Sequence, residues 1–419
     1  MALAAGCGAV EAPVSPDARS SDAAPGSCTQ ECLSEDMLRE CTGGERTVPC
    51  PLGCLTAEAR CRTPVPSNDI AADEHLLGAT AILTIATGVQ AIIDTDIGSI
   101  TVGDQSLRIP GAGVVNSGIG FHYTAEGLSA FAVQGFIMEP GSTLRARGQR
   151  PLLILSAGDV EIAGTIDVSA GCDVGAPPQI CGGPGGGRGA DVLNEATGCG
   201  IGGNGGAVPP KYGGGGGGGA SGQAGASGGA AQDAPGGSGG TACDASLVPL
   251  RGGAGGGRSG FPSGNGGGGG GGGAVQITSH TAIRLVSPAT IDAGGSGGEQ
   301  GGSGSGGGGG GGGGILLEAP VLSVDGAVLA ANGGGGGGKT TPGADGPRGV
   351  EQAQGGDGGG GLGGALAGAP TAGTAFDANF SGGGGGAVGL IQFRVPPAGY
   401  SYANTAASPA PVRLDLEVK

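Results

Sequence analysis

The chain has no tryptophan, and its 419 residues include only seven phenylalanines and four tyrosines, which excludes a large aromatic core. Burial must come from Val, Ile, Leu and Ala. Charge is also scarce, at 13% of residues, and one-sided: 19 Lys and Arg face 35 Asp and Glu, a net −16. Without a basic surface the chain is not expected to bind nucleic acid or an anionic lipid face. No apolar run reaches the roughly 18 residues of a membrane-spanning helix. The three histidines, His75, His122 and His280, sit in no metal-binding or catalytic motif. No cofactor, metal or other prosthetic group is implied.

Glycine is abundant instead, at 107 residues, but without the strict Gly-X-Y period of collagen. It surrounds a repeated apolar phrase. Residues 154–171 (ILSAGDVEIAGTIDVSAG) and 316–333 (LLEAPVLSVDGAVLAANG) align over 18 positions without a gap. Ile154, Leu155, Val160, Ile162 and Ile166 fall on Leu316, Leu317, Leu322, Val324 and Val328, and Gly164 falls on Gly326. Residues 277–294 are a third copy, with Ser287 and Pro288 added at that turn. Residues 136–148 are a partial copy and 390–395 a truncated one. Each copy reads as two or three short strands with alternating apolar residues and Gly, Pro or Ala-Pro corners. One copy cannot bury its apolar side, whereas stacked copies can. The expected fold is all-β, a right-handed parallel β-helix with long glycine-rich excursions. A β-sandwich is the alternative, but it does not need the same phrase several times.

The excursions span residues 172–273, 294–314 and 333–386. Each leaves after a copy and ends in a pure glycine run that re-enters a strand. Such runs can pack side by side as polyproline-II-like chains, bonded backbone to backbone because no side chain intervenes. The alternative is a solvated brush.

Eleven cysteines suggest oxidation outside the cytosol. Cys28, Cys32, Cys41, Cys50, Cys54 and Cys61 form a compact set, expected as three disulfides in a module too small to have a core of its own. Fifteen pairings of six cysteines are open. Cys172, Cys181, Cys199 and Cys243 imply two more bridges. Cys7 stands alone in MALAAGC, which reads as the remnant of a lipoprotein signal with Cys7 as the lipidated residue. The expected organisation is a signal remnant (1–7), a tether (8–27), the disulfide-rich module (28–61) and a linker (62–75). Capping and first rungs follow (76–171), then rungs with excursions (172–395) and a closing strand (396–419).

Residues 333–340 match the phosphate-loop pattern, but Pro342 and Gly343 follow where that motif needs a helix. Residues 236–240 and 294–298 match the nucleophile-elbow pattern only because glycine is everywhere. The repeat alignment sets Asp167 on Asp292 and Glu161 on Arg284. Neighbouring copies would stack these about 4.8 Å apart. Paired carboxylates can hold calcium or share a proton, so Asp167, Asp292 and Arg284 are the catalytic candidates. The plainer reading is a solvated row with a Glu161–Arg284 ion pair, because Leu329 interrupts the row and no aromatic platform accompanies it.

The cysteine module with Cys50-Pro51-Leu52-Gly53-Cys54, residues 152–171, the glycine run into Ile315-Leu316-Leu317-Glu318-Ala319-Pro320, and Ala331-Asn332-Gly333-Gly334 carry a resemblance. The chain resembles glycine-rich secreted or surface proteins of myxobacteria, some labelled PE-PGRS-like. That resemblance implies a pectin-lyase-like β-helix at the cell surface, and it transfers no catalytic residues. The expected role is structural or adhesive, in an outer-membrane lipoprotein or secreted protein. Extracellular polysaccharide or other surface proteins are the expected partners. A carbohydrate-active enzyme or glycan-binding protein is the alternative.

Overall fold

A computed structural model describes residues 28–41, 44–172, 180–208, 212–260, 266–302 and 304–419. Cys7 and the tether lie outside the described residues. The chain divides into two units, Met1–Cys61 and Arg62–Lys419.

In the first unit Glu31–Ser34, Met37–Glu40 and Arg46–Pro49 form an antiparallel sheet, and Cys54–Leu55 pairs with Arg60–Cys61. Among the described residues here, only Leu38 and Cys50 are buried and apolar. Disulfides replace the missing core, joining Cys28 to Cys41, Cys32 to Cys54 and Cys50 to Cys61. All six cysteines of the compact set are used within it.

The second unit is built from three largely parallel sheets of eight, six and eight strands. Successive strands of each repeat go to the first, second and third sheet in turn. The repeat 152–167 supplies Leu152–Ser156, Val160–Ile162 and Thr165–Asp167. Every pairing between successive repeats is parallel and in register, so like residues stack. The inward ladders are Phe131, Ile154, Ile277, Leu317 and Phe393 in the first sheet. Phe136, Val160, Ile283, Leu322 and Tyr400 form the ladder of the second. Leu144, Ile166, Ile291, Leu329 and Ala407 form that of the third. These ladders make one continuous core.

The gapless alignment is right for the middle strand and off by one residue on both sides of it. Ile154 stacks through Ile277 on Leu317, not Leu316, and Ile166 stacks through Ile291 on Leu329, not Val328. In the later repeat the first corner is one residue shorter and the second one longer, so the errors cancel in total length. A one-residue slip reverses a strand's faces, so only burial reveals it. The last repeat is also complete: Tyr400–Ala403 and Ala406–Ser408 extend the second and third sheets, and Val412–Leu414 extends the first.

Residues 62–75 are held down rather than forming a free linker. Val65 N–H bonds to Glu417 O, and Thr63 and Lys419 exchange backbone bonds. Ile70 and Ala72 cover the outer face of the first sheet together with Leu247 and Leu250. At the other end of the stack the pairing turns antiparallel: Gln90–Asp94 with Ser99–Val102, and Gly120–Tyr123 with Ser129–Val133. These hairpins cap the core, and Arg108 is buried beneath them.

The described residues of the excursions are ordered. Each leaves the third sheet, after Thr165–Asp167, Thr290–Asp292 or Val328–Ala330, and returns into the first. Between these points the glycine tracts hydrogen-bond to one another with a period of three residues. Gly214, Gly217 and Ala220 donate to Gly206, Gly203 and Gly200. Gly215 and Gly218 donate to Gly229 and Ala226, and Gly216 and Gly219 to Gly306 and Gly309. The carbonyls of the same tract accept from three further chains, through Gly260, Gly257 and Ala254, through Gly237 and Gly240, and through Gly384 and Ala387. A helix with three residues per turn points successive amides 120° apart, which gives three neighbours for N–H and three for C=O. The tract 306–314 is surrounded in the same way.

Sequence follows position in this bundle. The central tracts are pure glycine, because a Cβ on Gly216, Gly217 or Gly310 would overlap the carbonyl of Gly257, Ser238 or Gly270. Outer tracts carry a side chain at every third residue: Ala224, Ser227 and Ala230 in one, Pro235, Ser238 and Thr241 in another, all exposed. Cys172–Cys181 and Cys199–Cys243 tie the first excursion internally.

Candidate functional surface

Asp167 and Asp292 are neighbours in the third sheet, as the repeat predicts. Asp292 then stacks on Ala330 rather than Leu329. Arg284 does not join the two aspartates. It lies in the second sheet, opposite Glu161, and its guanidinium pairs with Asp159 at 2.6 Å rather than with Glu161. The aspartates are engaged by two arginines that the sequence did not single out. Arg348, from the last excursion, reaches Asp292 at 2.7 Å and Asp167 at 3.2 Å, and Arg145 reaches Asp167 at 2.6 Å. Ser169 donates to the same Asp167 oxygen, Oδ1, at 2.7 Å. Burial pushes the Asp292 carboxyl up, the Arg348 hydrogen bond pulls it down, and the charge of Asp167 pushes it up again. The arrangement is an ion-paired clamp that ties an excursion to the sheet.

Removing the clamp's bridging cation has a predictable cost. Arg348→Ala leaves Asp292, whose side chain is 5% exposed, with no cation in contact. Since Arg348 itself is half-exposed, the loss should be about 2 kcal/mol rather than the larger figure for a fully buried pair. Asp292 should then titrate still higher, so the variant regains stability on acidification. Denaturant melts at pH 7 and pH 5 check both effects.

Glu318 is the other buried carboxyl. Burial raises its pKa, opposed first by Ser67 and Thr278. It accepts from Ser67 Oγ at 2.5 Å and from Gln276 and Thr278 at 2.8 Å each. Asn68 extends this network by donating to Gln276 Oε1 at 2.8 Å and accepting from Leu250 N at 2.8 Å. The network fastens residues 62–75 to the first sheet. It presents no nucleophile–base pair.

The phosphate-loop match is part of the bundle. The amides of residues 333–338 are spent on neighbouring carbonyls, and Lys339 lies 3.4 Å from Asp377. Thr340 and Thr341 both donate, through backbone and side chain, to Asp357. Those bonds hold the Asp357 carboxyl down at about 2. Among the described residues there is no group of three or more metal-ligating side chains, and no helix long and apolar enough to cross a membrane.

The far end of the bundle, where tracts turn back away from the sheets, differs in composition from the rest of it. The paired residues Ala207–Val208 and Tyr212–Gly213 and turns at 339–341, 357–359 and 374–381 meet there, as the Gly213–Phe380 bridge and the Gly359–Thr374 and Lys339–Asp357 bonds show. Tyr212, Phe376 and Phe380 are the bundle's described aromatic residues, and all three are at this end. The Phe376 and Phe380 rings lie 6.4 Å apart, with Lys339 Nζ 5.5 Å from the Phe376 centroid. Asp377 Oδ1 accepts from the backbone N–H of Asn379 and Phe380, which fixes the turn. The signal was present in the sequence as ThrAlaPheAspAlaAsnPhe (374–380), an aromatic phrase between glycine runs.

No protein-family model, curated protein or solved structure matches the chain.

Proposed function

We propose that this is a non-enzymatic extracellular protein, a spacer or adhesive element secreted or held at the cell surface by a lipid on Cys7. The stacked repeats are read as a right-handed parallel β-helix of the pectin-lyase-like kind, as in the glycine-rich myxobacterial proteins the chain resembles. The observation that carries the reading is the bundle. A hundred-odd residues of backbone bonded in three directions form a stiff body, and rigid bodies that present loops at one end suit contact functions. Five disulfides are compatible with an extracellular setting. The carbohydrate-active alternative draws no support from Asp167 and Asp292, since both are taken by Arg348 or Arg145 and Arg284 is elsewhere.

Beads coated with the oxidised protein should be retained on extracellular matrix recovered from the producing cells, and should release no reducing sugar from it. Reducing-sugar release that Asp292→Asn abolishes would replace the adhesive reading with the enzymatic one. Retention no greater than for beads coated with heat-denatured protein would remove the adhesive reading.

A further inference from the structure

We infer that the far end of the glycine bundle is a binding surface for a neutral polysaccharide. This inference rests on the adhesive reading and assigns it a place and a ligand class. Glycine fills the bundle interior, and Ala, Ser, Thr and Pro occupy much of its outer tracts, yet the described aromatic rings gather at one end. That end stands about 25 Å from the sheets, taking eight residues at about 3.1 Å each. The bundle is held by backbone bonds rather than by a core of aromatic rings.

The chemistry around the rings is that of sugar recognition. Aromatic faces stack on the apolar C–H faces of a pyranose, and nearby amides and hydroxyls bond its oxygens. Tyr212 adjoins Gly213, which pairs with Phe380. Among the described residues, the Tyr212 hydroxyl and the Asn379 side-chain amide make no hydrogen bond, so both are available to a ligand. Their positions are preset, since Asp377 holds the 376–380 turn and the Gly213 N–H beside Tyr212 bonds to Asn379 O. Lys339, whose ammonium lies beside the Phe376 ring, is already paired with Asp377. The protein's net charge of −16 repels a polyanionic glycan, which leaves a neutral one.

The test is native electrophoresis of the full chain, disulfides intact, through gels containing laminarin, hydroxyethylcellulose, soluble starch or polygalacturonate. The wild-type chain should be retarded in at least one neutral gel and not by polygalacturonate. Tyr212→Ala, Asn379→Ala and Phe376→Ala, each with an unchanged melting temperature, should weaken that retardation at least tenfold. If Phe376→Ala fails to fold, the first two variants carry the test, as both side chains are only half-buried. Free migration in all three neutral gels, retardation that the variants leave intact, or stronger retardation by polygalacturonate would each overturn the inference. Matrix-retained beads with no neutral-glucan binding would reject this ligand while leaving the adhesive reading in place.

Discussion

Gly217→Ala should destabilise the second unit by about 3 kcal/mol or more, although alanine is ordinarily the safer residue. Replacing glycine where the backbone suits any residue usually stabilises by about 0.4–1 kcal/mol, through the unfolded chain. Gly217 has no left-handed φ, so strain is not the issue. The added Cβ would instead overlap the Ser238 carbonyl. Overpacking typically costs about 1–3 kcal/mol, and here relief is hard because the tract is bonded to six other chains. Gly310→Ala should behave alike, its Cβ meeting Gly270 O. Ser227→Ala, at an exposed outer position, should change stability by less than about 0.5 kcal/mol. Denaturant melts give the magnitudes, and amide exchange at residues 213–219, 266–273 and 306–314 locates the damage. If Gly217→Ala were neutral and those amides exchanged at unprotected rates, the interlocked bundle would be wrong.

Arg108→Met should cost about 3 kcal/mol or more and open the capped end first. Arg108 is fully buried, and its guanidinium donates to the carbonyls of Gly98, Ile109, Gly111, Gly113 and Ile119. Burial pulls its pKa down to about 10, still far above neutrality, so it remains charged. Its ion sits 5.3 Å from the Phe121 ring centroid. Methionine keeps the stem but orphans those carbonyls, at about 1–3 kcal/mol for each that water does not reach. Arg108→Lys should recover only part, having three donors on a point charge in place of a planar fork.

The same end should loosen in acid. His75 and His122 stack at 4.7 Å, and burial lowers both pKa values, with Arg108 adding to the shift at His122. A lowered folded-state pKa means that the unfolded chain binds the proton more readily. Stability is therefore full above the ordinary histidine pKa of about 6.5 and falls as pH drops below it. Asp292 and Glu318, both shifted upward by burial, act in the opposite sense, gaining stability as pH falls. Histidine chemical shifts followed by NMR, with melts from pH 7.5 to 5, separate the two. In Arg108→Met the His122 pKa should rise.

The sequence by itself determined the repeat, the all-β class and where each excursion leaves and returns, because an apolar residue every second position and a glycine corner are local facts. It also fixed which cysteines belong together, since six lie within one short segment. Asp167 over Asp292 was legible for the same reason, as both sit at one place in the repeat. Which arginines answer them was not. Arg348 is 181 residues from Asp167, and only the return of an excursion brings them together. The strand slip at Leu316 and Leu329 was equally invisible, because two compensating corner changes leave the length unaltered and only burial tells the faces apart. Above all, a glycine run reads the same whether it is solvated or packed. Its amides have no side chain to announce a partner. Whether they find one depends on having neighbours on every side, and only the tertiary structure supplies those.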